Sequence, residues 1–103
     1  MNDSFVQVQA MQRFRPDPGR LYDVDTTARL AGVPRRSVLV YCRWGLVRPN
    51  TNPEVHGWYF SSDAISAIRR AEYLRANRGV NLPGLRVIFE LVKELEYDLP
   101  ALW

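Results

Sequence analysis

Two short stretches of helical periodicity flank Gly32, and the other patterns of the chain are arranged around them. In the first, Ala28, Leu30 and Ala31 are small or apolar enough for a second helix to approach closely. Asp25 supplies a capping carboxylate for it, with Thr26 and Thr27 as the other caps available. Gly32 suits the left-handed residue that ends a helix, and Pro34 has its φ already set for the first turn of the next. The second stretch carries Val38, Tyr41 and Cys42 at i, i+3 and i+4, which turns one face inward, and it stops at Gly45. Helix, tight glycine turn and helix make a helix-turn-helix.

The pattern upstream is different. Val6, Val8 and Ala10 alternate with Gln7 and Gln9 inside Phe5–Phe14, the period of a half-buried strand. Arg15-Pro-Asp-Pro-Gly19 breaks it, because two prolines and a glycine sustain neither helix nor central strand. Leu21 and Tyr22 then precede the capping carboxylate, placed to fold back on the first helix as a hydrophobic staple. After Gly45, Leu46-Val-Arg-Pro49 is extended, Asn50–Gly57 is polar and rich in breakers, and Trp58-Tyr-Phe60 is a short aromatic strand. Extended segment, loop and extended segment directly after a helix-turn-helix describe a wing. The alternation puts Trp58 and Phe60 on one face, towards the core, and Tyr59 on the other.

Two further helices are expected. The first opens at Ser61 or Ser62, has Asp63 at the positive end of its dipole, and ends at Gly79. Ala64, Ala67, Ile68, Ala71 and Leu74 form its inward stripe. The second starts near Pro83, carries Leu85, Ile88, Phe89, Val92 and Leu95, and is stopped by Asp98-Leu-Pro100. Val87 and Leu91 widen its apolar face beyond what a narrow seam needs. Four short helices offer little to bury so wide a face, so a homodimer or a partner through this helix is expected.

At 103 residues the chain is read as one domain. Its parts are residues 1–20, an N-terminal strand and linker; 21–60, a winged helix-turn-helix; and 61–103, a C-terminal helical pair. No apolar run approaches the roughly 18 residues that span a bilayer, and Met1–Ala10 lacks the basic start of a signal peptide. Cys42 is the single cysteine, so no internal disulfide forms and a cytoplasmic address is expected. The net charge of +3 conceals an asymmetry. Thirteen arginines face seven carboxylates up to Phe89, whereas Lys93 stands alone against Glu90, Glu94, Glu96 and Asp98 beyond it. A basic body suits an anionic partner and an acidic last helix suits a basic one.

Catalytic chemistry finds little purchase. Ser37, Ser61 and Ser62 have no histidine to pair with except His56 in the wing loop, and Cys42 falls on an inward face. His56 has no second histidine and no nearby cysteine to share a metal, and no glycine-rich phosphate loop is present. No enzyme and no cofactor is expected.

Ala28-Arg-Leu-Ala-Gly-Val-Pro-Arg-Arg-Ser-Val38 followed by Tyr41-Cys-Arg-Trp-Gly-Leu-Val-Arg-Pro49 resembles the N-terminal winged helix-turn-helix of MerR-type regulators. Leu74-Arg-Ala-Asn-Arg-Gly-Val-Asn-Leu-Pro-Gly-Leu-Arg-Val-Ile-Phe-Glu-Leu91 narrows the resemblance to two branches. These are the HspR-like heat-shock repressors and the CbpM-like modulators of DnaJ-class co-chaperones. The fold so implied is mostly α: a MerR-like winged helix-turn-helix with a short β wing, an N-terminal strand and a C-terminal amphipathic helix.

The departures favour the second branch. MerR-type DNA readers usually carry Arg-Tyr-Tyr in the recognition helix, where this chain has Leu39, Val40 and Tyr41. Their wing typically carries Arg-x-Tyr, where Trp58-Tyr-Phe60 stands here. Both changes remove cations from positions that the resemblance assigns to phosphates. On a helical wheel Leu39 and Val40 sit between Arg36 and Arg43, a composition suited to protein. The CbpM-like resemblance implies binding to the J domain of a CbpA or DnaJ-type co-chaperone and inhibition of its Hsp70-stimulating activity. The J domain presents a basic helix, so Glu90, Glu94, Glu96 and Asp98, or else Leu39 and Val40, are the expected contacts. The other branch implies a dimeric DNA-binding repressor, with Arg35, Arg36 and Arg43 on the recognition helix and Arg48, Arg69 and Arg70 at the backbone.

Overall fold

Asp23 opens the first helix. Its carboxylate accepts the Thr26 amide at 2.7 Å while its own backbone stays extended. The computed structural model describes residue 17 and residues 19–50 and 57–102, with side chains described as far as Leu95 in the last helix. The order is β1 (Tyr22–Asp23), α1 (Val24–Ala31), α2 (Arg35–Arg43), β2 (Tyr59–Phe60), α3 (Ser62–Arg78) and α4 (Leu82–Leu102). Asp25, expected as the cap, lies inside the first turn of α1. The reason is tertiary. A cap must be non-helical, and pairing with β2 holds Asp23 extended, so the helix begins at Val24, ahead of Asp25.

α1 ends at Gly32 with φ 73°, and Val33 N–H reaches back to the Ala28 carbonyl at 3.0 Å. The expected glycine turn is therefore in place. α2 starts directly after Pro34 and closes at Trp44 and Gly45, whose φ is 74°. Its inward face is Val38 and Tyr41, with Cys42 half-buried, as the spacing predicts.

The sheet is antiparallel, with Tyr22 opposite Phe60 and Asp23 opposite Tyr59. β1 lies between the expected linker and α1, in a stretch read as a staple. On the other side of β2, Asn50 N–H donates to the Tyr59 carbonyl at 2.6 Å, a single bridge that ties the wing's outgoing arm to its return. Phe60 is wholly buried, but Trp58 is 45% exposed and does not join the core. Alternation extends only as far as the pairing, and Trp58 lies ahead of it, next to Gly57 at φ 106°. The expected strand within Phe5–Phe14 and the loop residue His56 lie outside the described residues.

α3 is capped by Ser61, whose hydroxyl accepts the Ala64 amide at 3.3 Å, and it ends at Gly79 with φ 66°. Its inner face carries Ala64, Ile68 and Ala71, with Ile65 as a further fully buried side chain. Asn81 caps α4 by accepting the Gly84 amide at 2.9 Å. Gly84 has no room for a side chain, since a Cβ there would meet Val80 Cγ1 at 2.9 Å. α4 continues past Asp98 and Pro100 to Leu102, longer than expected. A proline two residues from a helix end forfeits few hydrogen bonds, so the stop signal is weak there.

Val38, Tyr41, Phe60, Ile65, Ile68 and Leu85 are the large closed residues of the core. Each such side chain contributes about 1.5–3 kcal/mol of hydrophobic stabilisation, which is how two short helices and a two-stranded sheet are held against α3. α4 packs chiefly on α3, through Leu85 with Phe89 beside it. Farther round the same helix Val87, Leu91 and Leu95 are more than half exposed.

Candidate protein- and nucleic-acid-binding surface

The exposed side of α2 is a shallow concavity lined by Arg36, Leu39, Val40 and Arg43. These four share a side because they fall at i, i+3, i+4 and i+7, opposite Val38 and Tyr41. Leu39 is 38% exposed, so its apolar surface is open to a partner. Arg35 stands at the start of α2 and pairs with Asp25 at 3.5 Å, both side chains being well exposed. Such a pair contributes little to stability and leaves Arg35 easily redirected.

The remaining cations are distributed over two other places. Arg69 and Arg70 lie with Ser66 and Tyr73 around a shallow depression on α3. Arg48 lies with Gly45 and Leu46 across a cleft from Arg86, Phe89, Glu90 and Lys93 of α4. Glu90 is thus beside cations, and its carboxylate accepts Arg86 Nε at 3.4 Å. Glu94 is exposed one turn farther on. Glu96 and Asp98 belong to the last turns of α4, where side chains are not described. The structure therefore joins Arg36, Leu39, Val40 and Arg43 into one surface, while Arg48 and the Arg69–Arg70 pair line two others.

The position of α2 is fixed from behind. Tyr41 Oη donates to Glu72 Oε1 at 2.7 Å, and Arg75 Nη2 meets Glu72 Oε2 at 2.7 Å. Burial raises the Glu72 carboxyl, but the hydrogen bonds from Arg75 and Tyr41 outweigh it and hold the group below its ordinary value. Burial and the Glu72 carboxylate push the Tyr41 phenol upward. The sequence alone does not single out Glu72 or its pairing with Arg75, although their i, i+3 spacing on α3 carries the signal. Burial also raises the Cys42 thiol, which keeps it protonated and unreactive. Among the described residues no cluster of three His, Cys, Asp or Glu is arranged to hold a metal, and no helix is long and apolar enough to cross a membrane.

Comparison with known proteins fits this architecture. A Streptomyces coelicolor protein named for the heat shock protein HspR is 29% identical over 75 residues, which cover 73% of this chain and 49% of that protein. The chain thus spans about half the length of the curated relative it matches. The profile described as MerR HTH family regulatory protein matches residues 22–91, from β1 through both helices of the helix-turn-helix, β2 and α3 into the middle of α4. By that match over most of its length, and by the winged helix-turn-helix it builds, the chain belongs to the MerR HTH family of regulatory proteins.

Proposed function

We propose that this chain is a non-catalytic modulator that binds the J domain of a DnaJ/CbpA-type co-chaperone in the cytoplasm and inhibits its stimulation of Hsp70. The observation that carries this reading is the α2 concavity, whose centre is Leu39 and Val40 rather than cations. An apolar centre rimmed by polar groups is how protein interfaces gain affinity, whereas duplex reading rests on cations and hydrogen-bond donors. Glu94 and Glu90 on α4 offer complementary charge to a basic helix, although Glu90 is already engaged by Arg86. In this reading residues 21–60 and 61–103 act as one regulatory domain, and residues 1–20 are a separate part of the chain.

Titration calorimetry with a purified J domain tests the reading. Binding is expected, with L39D/V40D weakening it at least about tenfold, as loss of a central apolar anchor does. E90K/E94K removes the acidic contribution in the same assay. Failure of the wild-type chain to bind any J domain would end the proposal.

A DNA-binding repressor of MerR/HspR type is the second reading, favoured by the family match and by the HspR relative. Arg35, Arg36 and Arg43 would address one duplex face, with Arg48, Arg69 and Arg70 at phosphates. An electrophoretic titration against salt separates the two. A reader gives a tight complex with its own upstream region that weakens steeply as salt rises, and R36A/R43A flattens that slope.

A further inference from the structure

Where the chain leaves the helix-turn-helix it forms a second wall to α4. Gly45, Leu46 and Arg48 face Arg86, Phe89, Glu90 and Lys93 across an open cleft of about 260 Å³. Leu46 and the half-buried Phe89 supply its apolar surface, beside a somewhat larger polar share. Its rim is cationic. Three basic side chains surround it and a single carboxylate, Glu90, is engaged by Arg86 at 3.4 Å. Arg48 and Lys93 have no ion-pair partner among the described residues.

We propose that this cleft binds a small amphiphilic anion: a carboxylate or phosphate monoester carried on a compact apolar body. The body would lie against Phe89 and Leu46 and the anionic group between Arg48 and Lys93. Arg48 offers the planar fork that matches two oxygens of such a group, and Lys93 adds a point charge. The backbone is not the source of affinity. The Gly45 and Leu46 amides are already donated to the Cys42 and Tyr41 carbonyls, each at 3.0 Å. Recognition therefore rests on the two side chains and on contact with Leu46 and Phe89. The volume lies below the roughly 300–1,000 Å³ of sites for drug-sized ligands, which restricts the ligand to metabolite size.

The two cations come from different elements, one from the exit of the helix-turn-helix and one from α4. A ligand held by both would bridge parts of the molecule that otherwise communicate mainly through α3. It would also occupy Arg48 and so withdraw that guanidinium from any phosphate backbone.

The test uses the full chain, followed by amide ¹H–¹⁵N shifts, with three probes of similar shape: 3-phenylpropionate, phenyl phosphate and the neutral 3-phenylpropan-1-ol. Saturable shifts confined to Gly45–Arg48 and Arg86–Lys93 are expected for at least one of the two anions, and comparing the two identifies the preferred anionic group. The alcohol should bind at least about tenfold more weakly, the scale of one lost charged hydrogen bond. R48Q/K93Q should weaken the anion about tenfold and leave the alcohol unchanged; both replaced side chains are exposed, and K93Q alone serves as a second variant. Shifts that do not saturate, that spread to α2 and α3, or that are equal for alcohol and anions would overturn the site.

Discussion

The Tyr41 hydroxyl, on the buried side of α2, donates to the Glu72 carboxylate of α3 at 2.7 Å, across 31 residues of sequence. It is the hydrogen bond that locks the angle of α2 against its support. Tyr41→Phe removes the donor while keeping the ring, so it should cost about 1.5–3 kcal/mol in urea unfolding, as hydrogen bonds to charged groups do. Tyr41→Ala adds a cavity and should cost about 3–5 kcal/mol.

The same contact has a pH signature. The carboxyl of Glu72 is held below its ordinary value in the folded chain, so its contribution is fully present above about pH 4.3, the usual glutamate value. It is lost as pH falls through the lower folded value. Tyr41 acts in the opposite direction: its phenol is raised on folding, so stability falls as pH rises above about 10. Glu72→Gln should remove the acid-side component, measured as a flatter dependence of the urea midpoint between about pH 5 and pH 3.

Cap identity separates two neighbouring aspartates. Asp23→Ala should lower the melting temperature by about 5 °C, because the Thr26 amide loses its acceptor. Asp25→Ala should move it much less, since it breaks only an exposed pair with Arg35. Parallel thermal melts by circular dichroism compare them.

Aromatic residues of the wing divide in the same way. Phe60→Ala should cost about 3–5 kcal/mol and leave a chain folded marginally at best, whereas Trp58→Ala, at a half-exposed ring, should cost only about 1–2 kcal/mol. Urea unfolding of the two variants checks both.

The exposed stripe of α4 bears on self-association, proposed from the width of its apolar face. Leu91→Asp with Leu95→Asp leaves the core untouched, since Leu85 and Phe89 carry the packing on α3. The variant should stay folded and elute as a monomer across concentrations at which the wild type gains mass by light scattering. A wild type that is monomeric up to millimolar concentration would dispose of the homodimer.

Much of the fold could be read from the chain because its helices are long enough to show a period and are punctuated by residues with a backbone role. Gly32 and Gly79 both end their helices with positive φ, and Ser61 caps where it was expected. The failures share a cause. Asp23 rather than Asp25 is the cap because a partner some 36 positions away holds it extended, and no local pattern reports that. Alternation assigns Trp58 to the core, but it holds only over the two residues that pair. The four residues of the α2 concavity were legible, being set by helical spacing alone. The Tyr41–Glu72 link and the cleft that Arg48 and Lys93 share were not, since each involves separate elements.

Arg36 and Arg43 frame the same concavity that Leu39 and Val40 fill. Nothing large enough to cover the two apolar side chains can leave both guanidiniums free, and no duplex lying across those guanidiniums can leave the apolar pair uncovered. The surface therefore has a single vacancy. A chain that met both a protein and DNA through α2 would exchange one for the other rather than bridge them, so the concentration of one would set the release of the other.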